Sequence, residues 1–330
     1  MRILFRLIRL VVAGAYASTA FIPVAVHAQG FPARPISILV YSPPGGPTDI
    51  MARLIAEKLT PRLGQAVVVE NRPGASGFVG LQAVARAAPD GYTLGMNSLV
   101  YHVLNRELYK EKLPYDPDRD FRQIALLAHV PYILVSSPNF PATDVKSLVA
   151  LSKNNPGKFN YGLPGGAGNT AHIASEYLKK IAGIDVMPIP YQGDSPSLTA
   201  LMAGDIQWQF TTLLGALPHI RSGRMKLLAI ATPKRLNTLP DTPTFAESGF
   251  PDFNISTWFG IQAPAGVPDD IARKLNSEID TVLKMPDVQA RLTDLGSIPA
   301  GGNLEEITAY IKTQTPRWKE IVRESGAKIE

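Results

Sequence analysis

The stretch YSPPGGPTD, Tyr41 to Asp49, is the strongest indication in this sequence of a fold that alternates strands and helices. It lies between an alternating apolar segment, which starts at Ile36, and residues spaced for an amphipathic helix. Two glycines allow a ligand to approach the backbone, and Pro47 suits the first position of a helix. An anion there would meet unpaired amides and the positive end of a helix dipole. The stretch predicts an anion-binding loop, although a plain strand-to-helix turn has the same signature.

A second glycine-rich loop, GLPGGAGNT at Gly162 to Thr170, precedes another helical pattern far along the chain. Asn169 or Thr170 is placed to cap that helix, and His172 falls in its first turn, facing either a cleft or the core. The loop lacks the Lys-Ser/Thr ending of a phosphate loop and the spacing of a dinucleotide fingerprint, which argues against a nucleotide. Two such loops suggest two domains that face one ligand.

A third polar group begins with YQGDSPSL at residues 191–198. There Tyr191 offers an aromatic wall and a hydroxyl, Gly193 allows a close backbone approach, and a serine-proline pair starts a helix. Thr211 and Thr212 follow a strand predicted to end at Phe210. Parallel sheets bind ligands beyond the carboxyl ends of their strands, which makes these hydroxyls candidate contacts.

Strand-like and helix-like patterns alternate along the chain, which predicts βαβ units, a largely parallel sheet and an α/β fold. The predicted strands after the first are Ala66 to Asn71, Tyr92 to Met96 and Ile206 to Phe210. The predicted helices start near Met51, Gly77, Ile173, Ile271 and Ile307, the last being interrupted at Pro316.

The amino terminus carries an apolar run through Val26 that follows basic residues and leads into the processing-site pattern VHAQG. It predicts a signal peptide, residues 1–28, cleaved after Ala28. An uncleaved membrane anchor is the weaker alternative, because the run contains Pro23 and ends in a processing site.

Charge and composition exclude several classes of function. Cleavage lowers the formal charge from +5 to +2, and the remaining charges are scattered, which gives little support to nucleic-acid binding. The absence of cysteine excludes disulfides, thiolate catalysis and cysteine-ligated metals. No HExxH, GxSxG or similar motif specifies a reaction, so we expect no enzyme, no metal and no cofactor. The alternative is a secreted hydrolase that uses Ser98 or Ser195 with His172.

Seven segments together resemble the extracytoplasmic receptors of tripartite tricarboxylate transporters, the Bug family, over essentially the whole mature chain. In order they are FPARPISILVYSPPGGPTDIMAR (31–53), VVVENRPGASGFVG (67–80), PDGYTL (89–94), KLPYDPDRDF (112–121), PYQG (190–193), LPDTPTFAESGFPDF (239–253) and WFGIQAPAGVP (258–268). Any one of these segments is weak evidence for the family, whereas seven in the expected order are highly specific evidence.

The resemblance implies a two-lobed periplasmic-binding-protein fold, each lobe a mixed or parallel sheet flanked by helices, with a ligand cleft between the lobes. Lobe 1 is expected at residues 29–129 and 255–330, and lobe 2 at residues 130–254. The expected function is a monomeric periplasmic receptor that captures a small di-, tri- or aromatic carboxylate and delivers it to membrane permease subunits. A ligand sensor for a signalling partner is the alternative within this class.

Family receptors hold carboxylates through amides, hydroxyls and ordered water on the two loops. The expected ligand-binding residues are Ser42, Pro44, Gly45, Gly46, Thr48, Asp49, Asn97, Ser98, Gly162, Gly165, Gly166, Gly168, Asn169, Thr170, His172, Tyr191, Gly193, Thr211 and Thr212. Many members carry an Asp at the position of Ala200 and an acidic or amide pair at the two threonines. Leu163 and Pro164 replace small polar residues. These departures weaken the case for an amino acid and favour a more apolar or aromatic carboxylate.

Overall fold

The computed structural model describes residues 30–74 and 77–329, and the predicted signal peptide lies outside them. The strands are β1 Ile36–Val40, β2 Val67–Asn71, β3 Thr93–Ser98, β4 Phe121–Ser136, β5 Asn160–Pro164, β6 Met187–Tyr191, β7 Trp208–Thr212, β8 Lys226–Ile230, β9 Ser256–Pro264 and β10 Ile298–Pro299. The helices are α1 Pro47–Leu63, α2 Phe78–Ala85, α3 Asn105–Tyr109, α4 Val145–Asn154, α5 Thr170–Ala182, α6 Asp194–Ala203, α7 Leu213–Arg221, α8 Asp269–Leu283, α9 Pro286–Asp294 and α10 Leu304–Ser325. A π-helical turn, Val100–Leu104, leads into α3, and a 3₁₀ turn, Lys110–Lys112, follows it. Within the described ranges, no helix is both long and apolar enough to cross a bilayer.

The described strands form one mixed sheet in the order β2-β1-β3-β9-β4-β7-β5-β6, and β8 and β10 also pair with β4. We call β1, β2, β3, β9, β10 and the first part of β4 the first half-sheet. The second half-sheet consists of β5 to β8 and the last part of β4. In the first, β1 is parallel to β2 and β3; in the second, β5 is parallel to β6 and β7. Parallel strands joined by helices confirm the predicted α/β class.

Strand β4 joins the two half-sheets. It pairs antiparallel with β9 as far as Pro131 and with β7 from Tyr132 onward. The predicted second lobe, residues 130–254, starts two residues before this change of strand partner and ends just before β9 begins at Ser256. Movement of the halves as separate lobes stays a prediction.

The largest hydrophobic core lies between the sheet and helices α4, α5 and α10, and it includes Trp208, Phe210, Phe253 and Trp258. Helix α10 continues through Pro316, where the sequence predicts an interruption. A proline inside a helix costs about 3 kcal/mol. Burial of Trp318 and its apolar neighbours on α10 offsets that cost.

Strand β7 lies two residues later than the predicted Ile206 to Phe210, because it starts at Trp208 and includes both threonines that were expected to follow it. Thr211 pairs with Ile133 and Thr212 pairs with Tyr132 of β4. The pairing extends the strand to its junction with α7, so the two hydroxyl side chains belong to the last two residues of the strand.

Candidate functional site

The first loop, residues 41–46, joins β1 to α1 and is anchored by the buried ring of Tyr41. That ring occupies space that only glycines leave open, since a Cβ at Gly95 would lie 1.8 Å from the Tyr41 hydroxyl and one at Gly80 would lie 2.4 Å from Cδ1. Gln262 donates a hydrogen bond to the hydroxyl at 3.4 Å, and Tyr101 packs edge-on at 5.2 Å. The loop therefore starts from a fixed point in the core.

Asp49, in the first turn of α1, fixes the end of the first loop that leads into that helix. Its carboxylate accepts hydrogen bonds from the Gly45 amide, from Arg53 Nε and from Asn71 Nδ2, each at 2.9 Å. Burial opposes ionisation, but these three donors hold the pKa of the Asp49 carboxyl below its usual range. Asn71 also donates to the carbonyl of Ser42 at 3.1 Å. The predicted contact Asp49 is thus committed to bracing the loop, together with Asn71 and Arg53, which the sequence analysis did not single out.

Unpaired donors remain at the start of α1. Gly46 is the N-cap and provides no side-chain cap, and the amides of Thr48 and Asp49 meet no acceptor among the described residues. The hydroxyl of Ser42 is buried and makes no hydrogen bond in the same part of the chain. Gly45 needs its positive φ of 82°, whereas Gly46 has an ordinary φ of −79°. The loop presents the group of donors that suits an anion.

The second loop, residues 165–169, joins β5 to α5 and turns through three glycines with positive φ, Gly165, Gly166 and Gly168. Asn169 caps α5 by accepting from the His172 amide at 3.0 Å, and its own side chain donates to the carbonyl oxygens of Pro164 and Gly166. The predicted cap is present at Asn169.

His172 braces the second loop from within α5. Its Nδ1 accepts the Gly168 amide at 3.1 Å, which leaves Nε2 as the protonated nitrogen of the neutral ring. Burial lowers the pKa of His172, which favours that neutral form. No hydrogen bond links this ring to Ser98 or Ser195 in the described residues, so the serine-histidine pair of the hydrolase alternative is not assembled.

The hydroxyl of Thr170 completes this loop. It is fully buried at the first position of α5 and makes no hydrogen bond of ordinary geometry within residues 30–74 and 77–329. The amides of Thr170 and Ala171 likewise lack an acceptor there. The loop also approaches elements of the first half, because a Cβ at Gly168 would lie 3.5 Å from Leu108 Cδ1 in α3 and 3.1 Å from Ile329 Cγ2.

The third segment leads from β6 into α6. Gly193 has φ 128° and ψ −178°, a conformation that essentially only glycine adopts. Asp194 follows as the first residue of α6, and its Oδ1 accepts the Thr211 hydroxyl at 3.0 Å. The Thr212 hydroxyl is buried without a partner in the described chain, and Tyr191 is half-buried. Asp194 is a candidate site residue that was missing from the sequence prediction.

Strand register brings these loops together. Ser98 at the end of β3 pairs with Phe259, which pairs with Ala128 of β4, while Thr212 at the end of β7 pairs with Tyr132 of β4. These two positions on β4 are separated by roughly 13 Å of extended strand. The parallel strands of the two halves run in opposite directions, so their carboxyl ends and the loops after them face one short segment of β4.

The remaining predicted contacts have packing roles or are exposed. Asn97 is buried, donates to Gln123 Oε1 at 2.7 Å and accepts the Ser98 amide at 2.8 Å. Gly162 lies inside β5, where a Cβ would come within 2.4 Å of Gln209 Oε1. Pro44 is exposed on the first loop.

Two cavities of about 490 and 480 Å³ lie outside the three loops. The larger lies between α10 and residues 117–123 and includes His102, while the smaller is lined by residues 106–120. In the described ranges, no three histidine or acidic residues are grouped closely enough to hold a metal ion.

Known proteins resemble this chain over nearly its full length. The family described as tripartite tricarboxylate transporter family receptor matches residues 51–327. The structure of Rhodopseudomonas palustris Rpa4515 with adipate has a TM-score of 0.86 and 31% identity, covering 91% of this chain and 100% of that one. The periplasmic binding protein BugD has a TM-score of 0.84 and 33% identity over 91% and 100%. MatC from Rhodopseudomonas palustris with bound malate has a TM-score of 0.82 and 33% identity over 88% and 100%. These likenesses confirm the predicted periplasmic-binding-protein fold.

Proposed function

This chain belongs to the tripartite tricarboxylate transporter receptor family, and from that premise we propose that it captures a small organic carboxylate between its three ligand-facing loops. The family and its solved relatives are receptors, not enzymes, and the chain is a receptor of this kind. Solved relatives, BugD among them, are periplasmic proteins, which implies the same location here. The predicted signal peptide would direct the chain there.

One observation carries the proposal. Unpaired amides at the starts of α1 and α5 lie on loops that converge with the buried hydroxyls of Ser42, Thr170 and Thr212, which make no hydrogen bond of ordinary geometry in the described chain. A buried polar group without a hydrogen bond costs about 1–3 kcal/mol. A bound carboxylate would accept from these donors and remove that cost.

Uncharged donors suit a receptor that must release its ligand. Arg53, the cation that reaches the first loop through Asp49, already pairs with that carboxylate at 2.9 Å. A carboxylate held by amides and hydroxyls is stabilised without a fixed opposing charge. Micromolar affinity needs only about 8 kcal/mol in total.

The adipate bound to Rpa4515 and the malate bound to MatC support a carboxylate as the ligand of this chain. We propose that the bound acid favours approach of the two half-sheets about the β4 crossing and that membrane permease subunits recognise the closed form. The alternative partner is a signalling protein. Growth of a deletion strain on the bound acid separates the two, because only loss of transport prevents growth.

The ligand itself is found by thermal-shift screening of the chain from Gln29 against aliphatic and aromatic mono-, di- and tricarboxylates, followed by calorimetry. We expect saturable stabilisation by one chemical group of acids. Absence of stabilisation by every acid contradicts the proposed function.

A further inference from the structure

Asp194 places a carboxyl group at the carboxyl edge of the second half-sheet, beside the proposed ligand. It is the first residue of α6 and part-buried, and only Oδ1 is engaged, by the Thr211 hydroxyl at 3.0 Å. No lysine, arginine or histidine forms an ion pair with it in residues 30–74 and 77–329. Its second oxygen is therefore an acceptor without a donor in the described chain.

Polar side chains lie near Asp194 at this edge of the sheet. Burial raises the pKa of the Tyr132 phenol, the Asp194 charge raises it further, and an interaction with the Thr170 hydroxyl opposes both effects. Thr170 is fully buried and Thr212 is 4% exposed, yet neither hydroxyl has a hydrogen-bond partner of ordinary geometry among the described residues. Buried hydroxyls without partners are uncommon in native proteins, and those of Thr170 and Thr212 lie in the two segments that adjoin this edge of the second half-sheet.

The two acidic residues at the candidate site differ in their surroundings. Asp49 has a guanidinium, an amide and a side-chain amide on its carboxylate, whereas Asp194 has one hydroxyl. Burial raises the pKa of Asp194, against the effect of the Thr211 hydrogen bond, while Asp49 has its pKa lowered. The first carboxylate is neutralised within the loop, and the second remains available to a ligand.

We propose that Asp194 is a specificity-determining contact that selects carboxylates carrying a hydrogen-bond donor, a hydroxyl or an ammonium, at the end remote from the first loop. This rests on the proposed function, because the ligand carboxylate must occupy the amides of the first loop. When Asp194 is ionised, a second carboxylate at the remote end would meet its charge and be repelled. A hydroxyl or ammonium would donate to the free oxygen of Asp194.

The test is calorimetry with matched acids of four, five and six carbons, each as the plain monocarboxylate, the ω-hydroxy acid, the ω-amino acid and the dicarboxylate. We expect one of the donor-bearing acids to bind at least about tenfold more tightly than the dicarboxylate of equal length. The difference is the repulsion between Asp194 and the second carboxylate, reduced by the screening that is typical near a protein surface. A stronger ω-amino acid identifies an ammonium site, and a stronger ω-hydroxy acid identifies a hydroxyl site.

Asp194→Asn is the decisive variant, because it keeps the shape and supplies an amide donor for a carboxylate. We expect it to reduce the preference by about tenfold or more, mainly through tighter binding of the dicarboxylate. Asp205→Asn, at the exposed far end of α6, is the matched control and should leave the preference unchanged. If dicarboxylates bind the unchanged chain as tightly as the donor-bearing acids do, the proposed role of Asp194 is wrong, whereas the proposed function still stands. A chain that binds no acid of the series, nor citrate or benzoate, overturns the proposed function as well.

Discussion

The Asn71 side-chain amide donates a 2.9 Å hydrogen bond to the Asp49 carboxylate, which ties the end of β2 to the first turn of α1. The two residues are brought together by parallel pairing of β1 with β2, in which Asn71 is opposite Val40. The same amide reaches the Ser42 carbonyl. The shape of the first loop therefore depends on a residue from the next strand.

Asn71→Ala tests this brace. It removes a hydrogen bond to a charged acceptor, and we expect a loss of about 1.5–3 kcal/mol in the free energy of unfolding. Urea denaturation measures the loss, and calorimetry should show weaker acid binding. Val68→Ala, at an exposed position of the same strand, is the control. Equal stability of the two variants would contradict the bracing role.

Thr170→Val replaces a buried, unpaired hydroxyl by a methyl group of similar size. We expect the stability of the free protein to change little, since the Thr170 hydroxyl makes no hydrogen bond of ordinary geometry in the described chain and interacts only with the Tyr132 phenol there, and acid affinity to fall about five- to tenfold. Ser152→Ala removes a comparable buried hydroxyl from α4 and should leave affinity unchanged. Unchanged affinity in Thr170→Val would remove this hydroxyl from the site.

Gly162→Ala distinguishes packing from ligand contact at a residue that the sequence assigned to the site. The added methyl group would meet Gln209 Oε1 at 2.4 Å and Ser197 Oγ at 2.6 Å. We expect a stability loss of about 1–3 kcal/mol from overpacking. Gly46→Ala, with an ordinary φ and no atom closer than 3.8 Å, should cost little stability while weakening acid binding. A stable Gly162→Ala variant with impaired binding would reverse the assignment.

His172 should make stability depend on pH. Its pKa in the folded protein is lowered below 6.5, so protonation is less favourable folded than unfolded. Its contribution is fully present above pH 6.5 and is lost as the pH falls through the lower folded pKa. We expect the melting temperature of His172→Asn to fall less on acidification than that of the unchanged chain. His129→Asn serves for comparison, because burial also lowers the pKa of His129. A steeper fall in His172→Asn would contradict the burial effect.

Local patterns predicted the parts of the site that local rules govern. Glycines with positive φ and a helix cap at Asn169 follow from backbone sterics and capping, so the second loop is recognisable in the sequence. Strand β4 is harder to predict, because a continuous apolar run with Pro131 inside it has no diagnostic period. Its role depends on which strands pair with it, and that is a long-range property.

The contacts that tune the site are also long-range. Asn71 reaches Asp49 across the sheet, and Asp194 receives the hydroxyl of Thr211 from another strand. The sequence analysis treats Thr211 and Thr212 as neutral hydroxyls on this side of the site. It overlooks the hydrogen bond that the Thr211 hydroxyl donates to Asp194. No local signal distinguishes Asp194 from an ordinary first-turn carboxylate of a helix.

The most direct test of the central claim is calorimetric titration of the chain with the best acid from the screen and with its methyl ester. The ester keeps the shape and apolar surface but removes the negative charge that the amides of the first loop are proposed to bind. We predict saturable binding of the acid and a loss of at least about a hundredfold in affinity for the ester, which corresponds to about 2.7 kcal/mol. Equal affinities for acid and ester would contradict a carboxylate site on these loops.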